Sequence, residues 1–86
     1  MEFKGTPAPW VAAEFLDGFN IKDEKYGKHI AFAPKQNNAR LIAAAPELLE
    51  ALIEMQRNGR KQGWNDIYES SMEKTRLAIT KALGQQ

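Results

Sequence analysis

The sequence contains no cysteine and a single histidine, His29. Without cysteine, the chain has neither a disulfide framework nor a thiolate metal site. His29 has no serine or second histidine nearby, and no pair of His, Asp and Glu residues has the spacing of a metal-binding motif. Gly59 and Gly63 flank Arg60-Lys61-Gln62, but the P-loop pattern is missing. We therefore expect no catalytic residues, no metal and no cofactor, and we predict that the protein is not an enzyme.

The sequence also lacks long apolar runs and a large excess of charge. Its apolar segments are much shorter than the roughly 20 residues that a membrane helix needs, so we expect no membrane partner. The formal net charge is only +1, which argues against binding to duplex DNA. The positive charge is local, because residues 34–63 carry five Lys or Arg and only three Glu. This pattern favours a small anionic ligand or an acidic patch on a partner protein.

The chain is short, with 86 residues, and we predict a single domain over residues 1–86. A domain of this size buries only about 60% of the surface that its unfolded chain exposes. Oligomerisation would bury additional apolar surface. We therefore expect a homodimer or a larger assembly.

The first part of the chain predicts a small β-meander over residues 10–33. Residues 10–16 follow two prolines and form a plausible first strand. Asp17-Gly18 is a strong hairpin signal, and residues 19–22 then alternate apolar and polar side chains. Residues 28–33 form a third short strand after a second turn. Three short strands need a cover on one face, which the helices must supply.

The second part, residues 37–83, predicts three helices. Apolar residues recur every three or four positions and predict one helix face, made of Leu41, Ala45, Leu48 or Leu49, and Leu52. Pro46 interrupts this pattern, since proline suits the first turn of a helix but not its interior. We therefore expect helices at 37–45 and 46–58 with an elbow between them, the second ended by Gly59. A third helix, capped by Asn65 or Asp66, runs to residue 83 and packs antiparallel to the second. The predicted fold class is α+β, with a three-stranded antiparallel meander packed against three helices.

Arginines are the best candidates for a binding site. A guanidinium presents a rigid fork that suits phosphate, and an indole can stack on a base. We predict a ligand-binding set made of Arg40, Arg57, Arg60, Lys61, Trp64 and Arg76. Two simpler interpretations stay open. The residues of 57–61 can solvate a loop near a helix C-terminus, and Trp64 can act as a hydrophobic staple for the third helix.

Two segments resemble a set of small phage and prophage proteins. Thr6-Pro7-Ala8-Pro9-Trp10 resembles their T-P-G-P-W entry, although Ala8 replaces the usual glycine. Residues 38–52 read N-A-R-L-I-A-A-A-P-E-L-L-E-A-L, the long central motif of these proteins. The layout of a small sheet followed by a helix pair is similar to phage sponges of the anti-Thoeris type, which bind cyclic nucleotide signals between subunits. That second similarity concerns fold alone.

The resemblance implies a phage accessory protein in the host cytoplasm that counters host defence. Its most concrete form is sequestration of a cyclic nucleotide immune signal at a subunit interface. The alternatives are an inhibitor that binds a host or defence protein directly, and a regulatory or structural phage protein without a ligand. A sponge needs a concave, basic, aromatic-lined pocket, whereas an inhibitor needs an exposed apolar or charged patch.

Overall fold

The computed structural model describes residues 3–84, which form three strands followed by three helices. The strands are β1 (Trp10–Phe15), β2 (Gly18–Asp23) and β3 (His29–Ala33). The helices are α1 (Gln36–Lys61), α2 (Trp64–Ile67) and α3 (Glu69–Ala82). The predicted α+β fold class is confirmed.

The described chain divides into two compact units. The N-terminal unit is Lys4–Leu48, which holds the sheet and the first half of α1. The C-terminal unit contains residues 49–84 together with Phe3, and so holds the second half of α1 with α2 and α3. The single-domain assignment stays a prediction.

The sheet of the N-terminal unit is the predicted meander, in the order β1-β2-β3 with antiparallel pairs. The β1–β2 register runs from Trp10 opposite Asp23 to Phe15 opposite Gly18. This register leaves a two-residue loop, in which Leu16 has a φ of 54°. A left-handed residue is typical of a tight hairpin, but a leucine adopts that conformation at a cost.

The core of the N-terminal unit lies between the sheet and α1. Ile21 of β2 is fully buried, together with Ala33 of β3 and Ala39 of α1. Trp10 and Ile42 pack against this cluster, and the Trp10 indole N–H donates to the Thr6 carbonyl at 3.0 Å. Ala39 and Ile42 are three residues apart and therefore lie on the face of α1 that covers the sheet. Leu41, Leu48 and Leu52, on the apolar face expected from the sequence, are exposed instead.

The predicted elbow at Pro46 is wrong, because α1 continues through the proline. Proline removes one backbone N–H from the helix and disfavours its interior. The residues around Pro46 oppose this effect, because all of them are strong helix formers. Ala43-Ala44-Ala45 precede the proline, and Glu47-Leu48-Leu49 follow it. A run of favourable neighbours therefore carries the helix through one unfavourable residue.

The predicted helix end at Gly59 is also wrong, because α1 runs to Lys61 and the left-handed glycine after it is Gly63, with a φ of 76°. Gly59 lies inside α1 and is buried. A Cβ atom built there would lie 2.8 Å from Cε3 of Trp64 and 2.9 Å from Cε of Met72. Glycine is thus required at this position by close packing rather than by a turn.

The predicted third helix is interrupted. Tyr68, with φ −119° and ψ 48°, ends α2 and precedes α3, and its backbone N–H donates to the Trp64 carbonyl at 2.7 Å. Neither Asn65 nor Asp66 is the cap, because α2 begins after Gly63 without a side-chain capping bond. α3 packs against α1 within the C-terminal unit, where Met72 and Ile79 are its buried residues.

Candidate functional site

The C-terminal unit contains an apolar groove of ≈390 Å³ between α1, α2 and α3. α1 contributes Leu52, Met55 and Gln56, which are spaced three and four residues apart and therefore share a face of the helix. The remaining lining residues come from α2, from the break after it and from α3: Trp64, Tyr68, Ser71, Met72 and Thr75. Most of these side chains are apolar or aromatic, which suits a flat apolar group.

Trp64 and Tyr68 give the groove its aromatic surface. Their ring centroids lie 5.9 Å apart and the ring planes meet at 86°, which is an edge-to-face pair. The helix break at Tyr68 places this residue one turn after Trp64. The Trp64 ring also packs closely against Gly59 of α1, which restricts its position. The aromatic pair is thus held by backbone geometry and by packing.

A second cavity of ≈410 Å³ shares Gln56 and Met72 with the groove. Its other lining residues are polar or charged: Arg60, Asn65, Glu69, Glu73 and Arg76. The two arginines and two glutamates balance, so the cavity has cationic groups without a net positive charge. A third hollow of ≈770 Å³ along α3 contains Asp66, Glu69, Glu73 and one lysine, Lys74, and is therefore unsuited to an anion.

The two arginines of the second cavity differ in their partners. Arg76 forms a bidentate ion pair with Glu73, with Nε–Oε2 at 3.1 Å and Nη2–Oε1 at 2.5 Å. This hydrogen bonding lowers the pKa of Glu73 and raises the pKa of Arg76. Both side chains are about half exposed, so the pair adds little stability. Arg60 forms no ion pair with any residue of the described range 3–84, and it is the more available cation.

Gln56 lies in the wall between the two cavities. Its side chain is only 4% exposed, and its Oε1 accepts no hydrogen bond from any residue in the part of the chain that the structure describes. A buried acceptor without a donor costs about 1–3 kcal/mol.

The structure brings together some of the predicted site residues. Arg60 and Arg76 line the second cavity, and Trp64 lines the groove. Arg57 and Lys61 are exposed near the end of α1 and line neither of these two cavities. Arg40 is exposed on α1 in the N-terminal unit. The assignment of all six residues to a ligand stays a prediction.

The sequence prediction of the site missed Gln56. Its spacing contains a usable signal, because Gln56 follows Leu49 and Ile53 at seven and three residues, on the buried stripe of α1. A glutamine on such a stripe is a polar group that needs a partner. Leu52 and Met55 were missed for a different reason: the site residues were predicted from charge and aromatic rings, which these two side chains lack.

Residues 3–84 contain no group of three or more His, Cys, Asp or Glu side chains placed to hold a metal ion. His29 is exposed at the start of β3. Within this range no helix is both long enough and apolar enough to cross a membrane.

The chain matches a known protein family. The model of a family described as Salmonella phage P22 protein Y8K6 matches residues 1–86, the whole chain. No curated protein and no solved structure matches the chain significantly.

Proposed function

The chain belongs to the Salmonella phage P22 protein Y8K6 family, and from this premise we propose that it is a non-enzymatic phage accessory protein that counters host defence by sequestering a cyclic nucleotide. It would act in the cytoplasm of the host cell, where such signals are made. The observation that carries the proposal is the shared wall of two cavities in the C-terminal unit, one apolar and aromatic, the other containing arginines.

A nucleotide needs both kinds of surface side by side. Its base is flat and mostly apolar, and stacking on an aromatic side chain contributes about 1–3 kcal/mol per base. Trp64 and Tyr68 in the groove supply such surfaces. The phosphate needs a cation, and Arg60 lies in the adjoining cavity without an ion-pair partner in the described chain. Sequestration requires no catalytic group, since no covalent bond is made or broken.

The ion pair of Arg76 with Glu73 limits the affinity for an anion. A phosphate that uses Arg76 has to compete with a carboxylate already held by two hydrogen bonds. Arg57 and Lys61, at the end of α1, then act through the local field rather than through direct contact. We therefore assign the direct phosphate contact to Arg60 first, with Arg76 as the second cation.

A second copy of the chain would complete the assembly. Leu41 and Leu48 of the N-terminal unit are 63% and 49% exposed, and they lie seven residues apart on one face of α1. Two exposed leucines at this spacing are typical of a helix seam that packs on another helix. Light scattering should give at least twice the chain mass of 9.7 kDa, and Leu41→Glu with Leu48→Glu should lower it to one chain.

The direct test is a calorimetric titration with cyclic dinucleotides, cyclic trinucleotides and ADP-ribose derivatives. We expect at least one to bind and to raise the apparent Tm by mass action. Arg60→Ala should weaken that ligand by about tenfold or more, because a charge-assisted bond contributes about 1.5–3 kcal/mol. Glu73→Gln should strengthen binding several-fold because it releases Arg76. Asn58→Ala, an exposed neighbour, serves as the control.

The bound ligand should be recovered chemically intact after heat release, because sequestration leaves it unchanged. A cleaved product would contradict the non-enzymatic assignment. Failure of every nucleotide to bind would overturn sequestration itself. The alternative is direct inhibition of a host or defence protein, and one observation favours it: Met55 and Tyr68 expose apolar surface beside the groove.

A further inference from the structure

We propose that Gln56 selects the ligand by pairing with the edge of an amino-substituted base, adenine in the first instance; this inference rests on the proposed function. The observation is independent of the arginines. Gln56 has a neutral amide side chain and is only 4% exposed. Its Oε1 accepts no hydrogen bond from the described chain. It lines both cavities, so a group placed in either one lies next to it.

The chemistry of the amide defines the ligand class. A glutamine carboxamide has an acceptor and a donor side by side, and this arrangement pairs with the amino group of adenine and the ring nitrogen beside it. Oε1 is closed off from solvent in the free protein. Rotation about the last side-chain bond exchanges the oxygen and the nitrogen and presents either one to the groove. A ligand N–H would then supply the hydrogen bond that the fold leaves unmade.

The surroundings of Gln56 favour a base over an aliphatic ligand. Trp64 and Tyr68 offer ring surfaces, and Met55 and Met72 offer polarisable sulfur that contacts aromatic rings well. The other side chains of the groove with polar groups are Ser71, Thr75 and Tyr68, with hydroxyl groups, and Trp64, with an indole N–H. The Thr75 hydroxyl already donates to the Ser71 carbonyl at 2.8 Å. Gln56 is thus the amide in a largely apolar site, which is the arrangement that gives high selectivity between a ligand and its analogue.

The test compares cyclic di-AMP with its 6-deamino analogue, which has purine in place of adenine and therefore lacks the amino group. Each is titrated by calorimetry into the full chain, into Gln56→Met and into Gln62→Met. Methionine has a similar length without the amide, and Gln62 is exposed beyond α1, which makes it a matched control. We expect the unmodified chain and Gln62→Met to bind cyclic di-AMP about tenfold or more tightly than the analogue. Gln56→Met should bind both equally, at the affinity of the analogue.

A second readout needs no ligand. Because Gln56→Met removes a buried acceptor without a donor, its Tm should be higher than that of the unmodified chain, by about 4–8 °C. A Gln56→Met protein that is less stable and binds both ligands as the unmodified chain does would overturn the inference and leave the proposed function in place. If the unmodified chain binds neither compound nor any other cyclic nucleotide, the proposed function fails, and this inference fails with it.

Discussion

Among residues 3–84, each unit buries one polar side chain to the same extent, and the two side chains differ in whether their hydrogen-bonding groups have partners. Asp23 of the N-terminal unit and Gln56 of the C-terminal unit are both 4% exposed. The Asp23 carboxylate accepts the backbone N–H groups of Tyr26 at 2.7 Å and of Lys28 at 2.6 Å. Oε1 of Gln56 accepts none within residues 3–84. The first group fixes a turn, and the second is available to a ligand.

The packing around Asp23 and around Gln56 also differs between the two units. In the N-terminal unit, Ile21, Ala33 and Ala39 form a closed cluster with the side chains around them. In the C-terminal unit, two cavities of ≈390 and ≈410 Å³ remain on either side of Gln56. A satisfied polar group and a filled core favour one rigid structure, whereas an unsatisfied group beside open space costs stability and suits binding.

The largest effect should come from opening the closed core. Ile21→Ala should lower the free energy of unfolding by about 2–5 kcal/mol, since it removes a fully buried side chain and leaves a cavity. Tyr26→Ala in the same unit is the control, because that side chain is 70% exposed and its loss should cost much less. Urea titration measures both. Equal losses for the two variants would show that the cluster is not the core of this unit.

A smaller effect is expected at the helix contact in the C-terminal unit. Gly59→Ala would normally stabilise a helix interior by up to about 1 kcal/mol. Here the added methyl group would clash with Trp64 and Met72, so we expect a net destabilisation of about 1–3 kcal/mol. Asn58→Ala, one position earlier and exposed, should be neutral or slightly stabilising. A stabilised Gly59→Ala protein would mean that the helices do not approach each other here.

The pH dependence should distinguish Asp23 from an exposed carboxylate. The Tyr26 N–H bond is the main cause that holds the pKa of Asp23 below its ordinary value, while burial opposes the shift. A carboxyl whose folded pKa is lowered stabilises the fold above its unfolded pKa of about 3.9, and the contribution is lost as pH falls through the folded pKa. Tm should therefore fall below about pH 4.

The matched variants for this measurement are Asp23→Asn and Glu73→Gln. Asp23→Asn should lower Tm by several degrees at neutral pH and flatten the acid limb of the Tm–pH curve, because two backbone donors lose their carboxylate. Glu73→Gln should change the curve only slightly, because its pair with Arg76 is exposed. The reverse order would contradict the assignment of Asp23 as the structural acid.

The smallest effect is expected in the β1–β2 loop. Leu16 is 89% exposed and has a φ of 54°, so its side chain contributes strain and little packing. Leu16→Gly should raise the free energy of unfolding by about 0.5–1 kcal/mol, after the extra entropy of glycine in the unfolded chain is included. Asp17→Gly is the control and should be destabilising, since Leu16 is the non-glycine residue with positive φ within residues 3–84. A shift in thermal unfolding measures both.

Much of the fold follows from local sequence signals. The Asp17-Gly18 signal and the alternation after it predict the meander, although the loop itself is Leu16-Asp17. The face of α1 that covers the sheet was not predicted, because the apolar period singled out Leu41, Leu48 and Leu52, whereas the buried contacts come from Ala39 and Ile42. Pro46 and Gly59 misled the prediction for one reason. Each is a helix-breaking residue type, and each is outweighed by something outside its own position: strong helix formers around Pro46, and packing of Trp64 and Met72 on Gly59.

The candidate site was only partly predictable. The charge of arginine and the ring of tryptophan mark them as candidate ligand-binding residues in a sequence, which is why the sequence alone predicts Arg60, Trp64 and Arg76. The ion pair between Arg76 and Glu73 follows from their spacing of three in a helix, but only once that helix is fixed. The missing donor for Gln56 depends on contacts from α2 and α3, which no local pattern contains.

The central claim, that the C-terminal unit binds the nucleotide, is tested most directly by the two tryptophans, one in each unit. Their indole N–H groups give separate signals in a ¹⁵N–¹H spectrum, assigned with Trp10→Phe and Trp64→Phe. On titration with cyclic di-AMP, we predict that the Trp64 signal shifts and saturates, while the Trp10 signal, with its N–H bonded to the Thr6 carbonyl, keeps its position. A saturating shift of Trp10 with Trp64 unchanged, or no shift of either signal, would contradict the account.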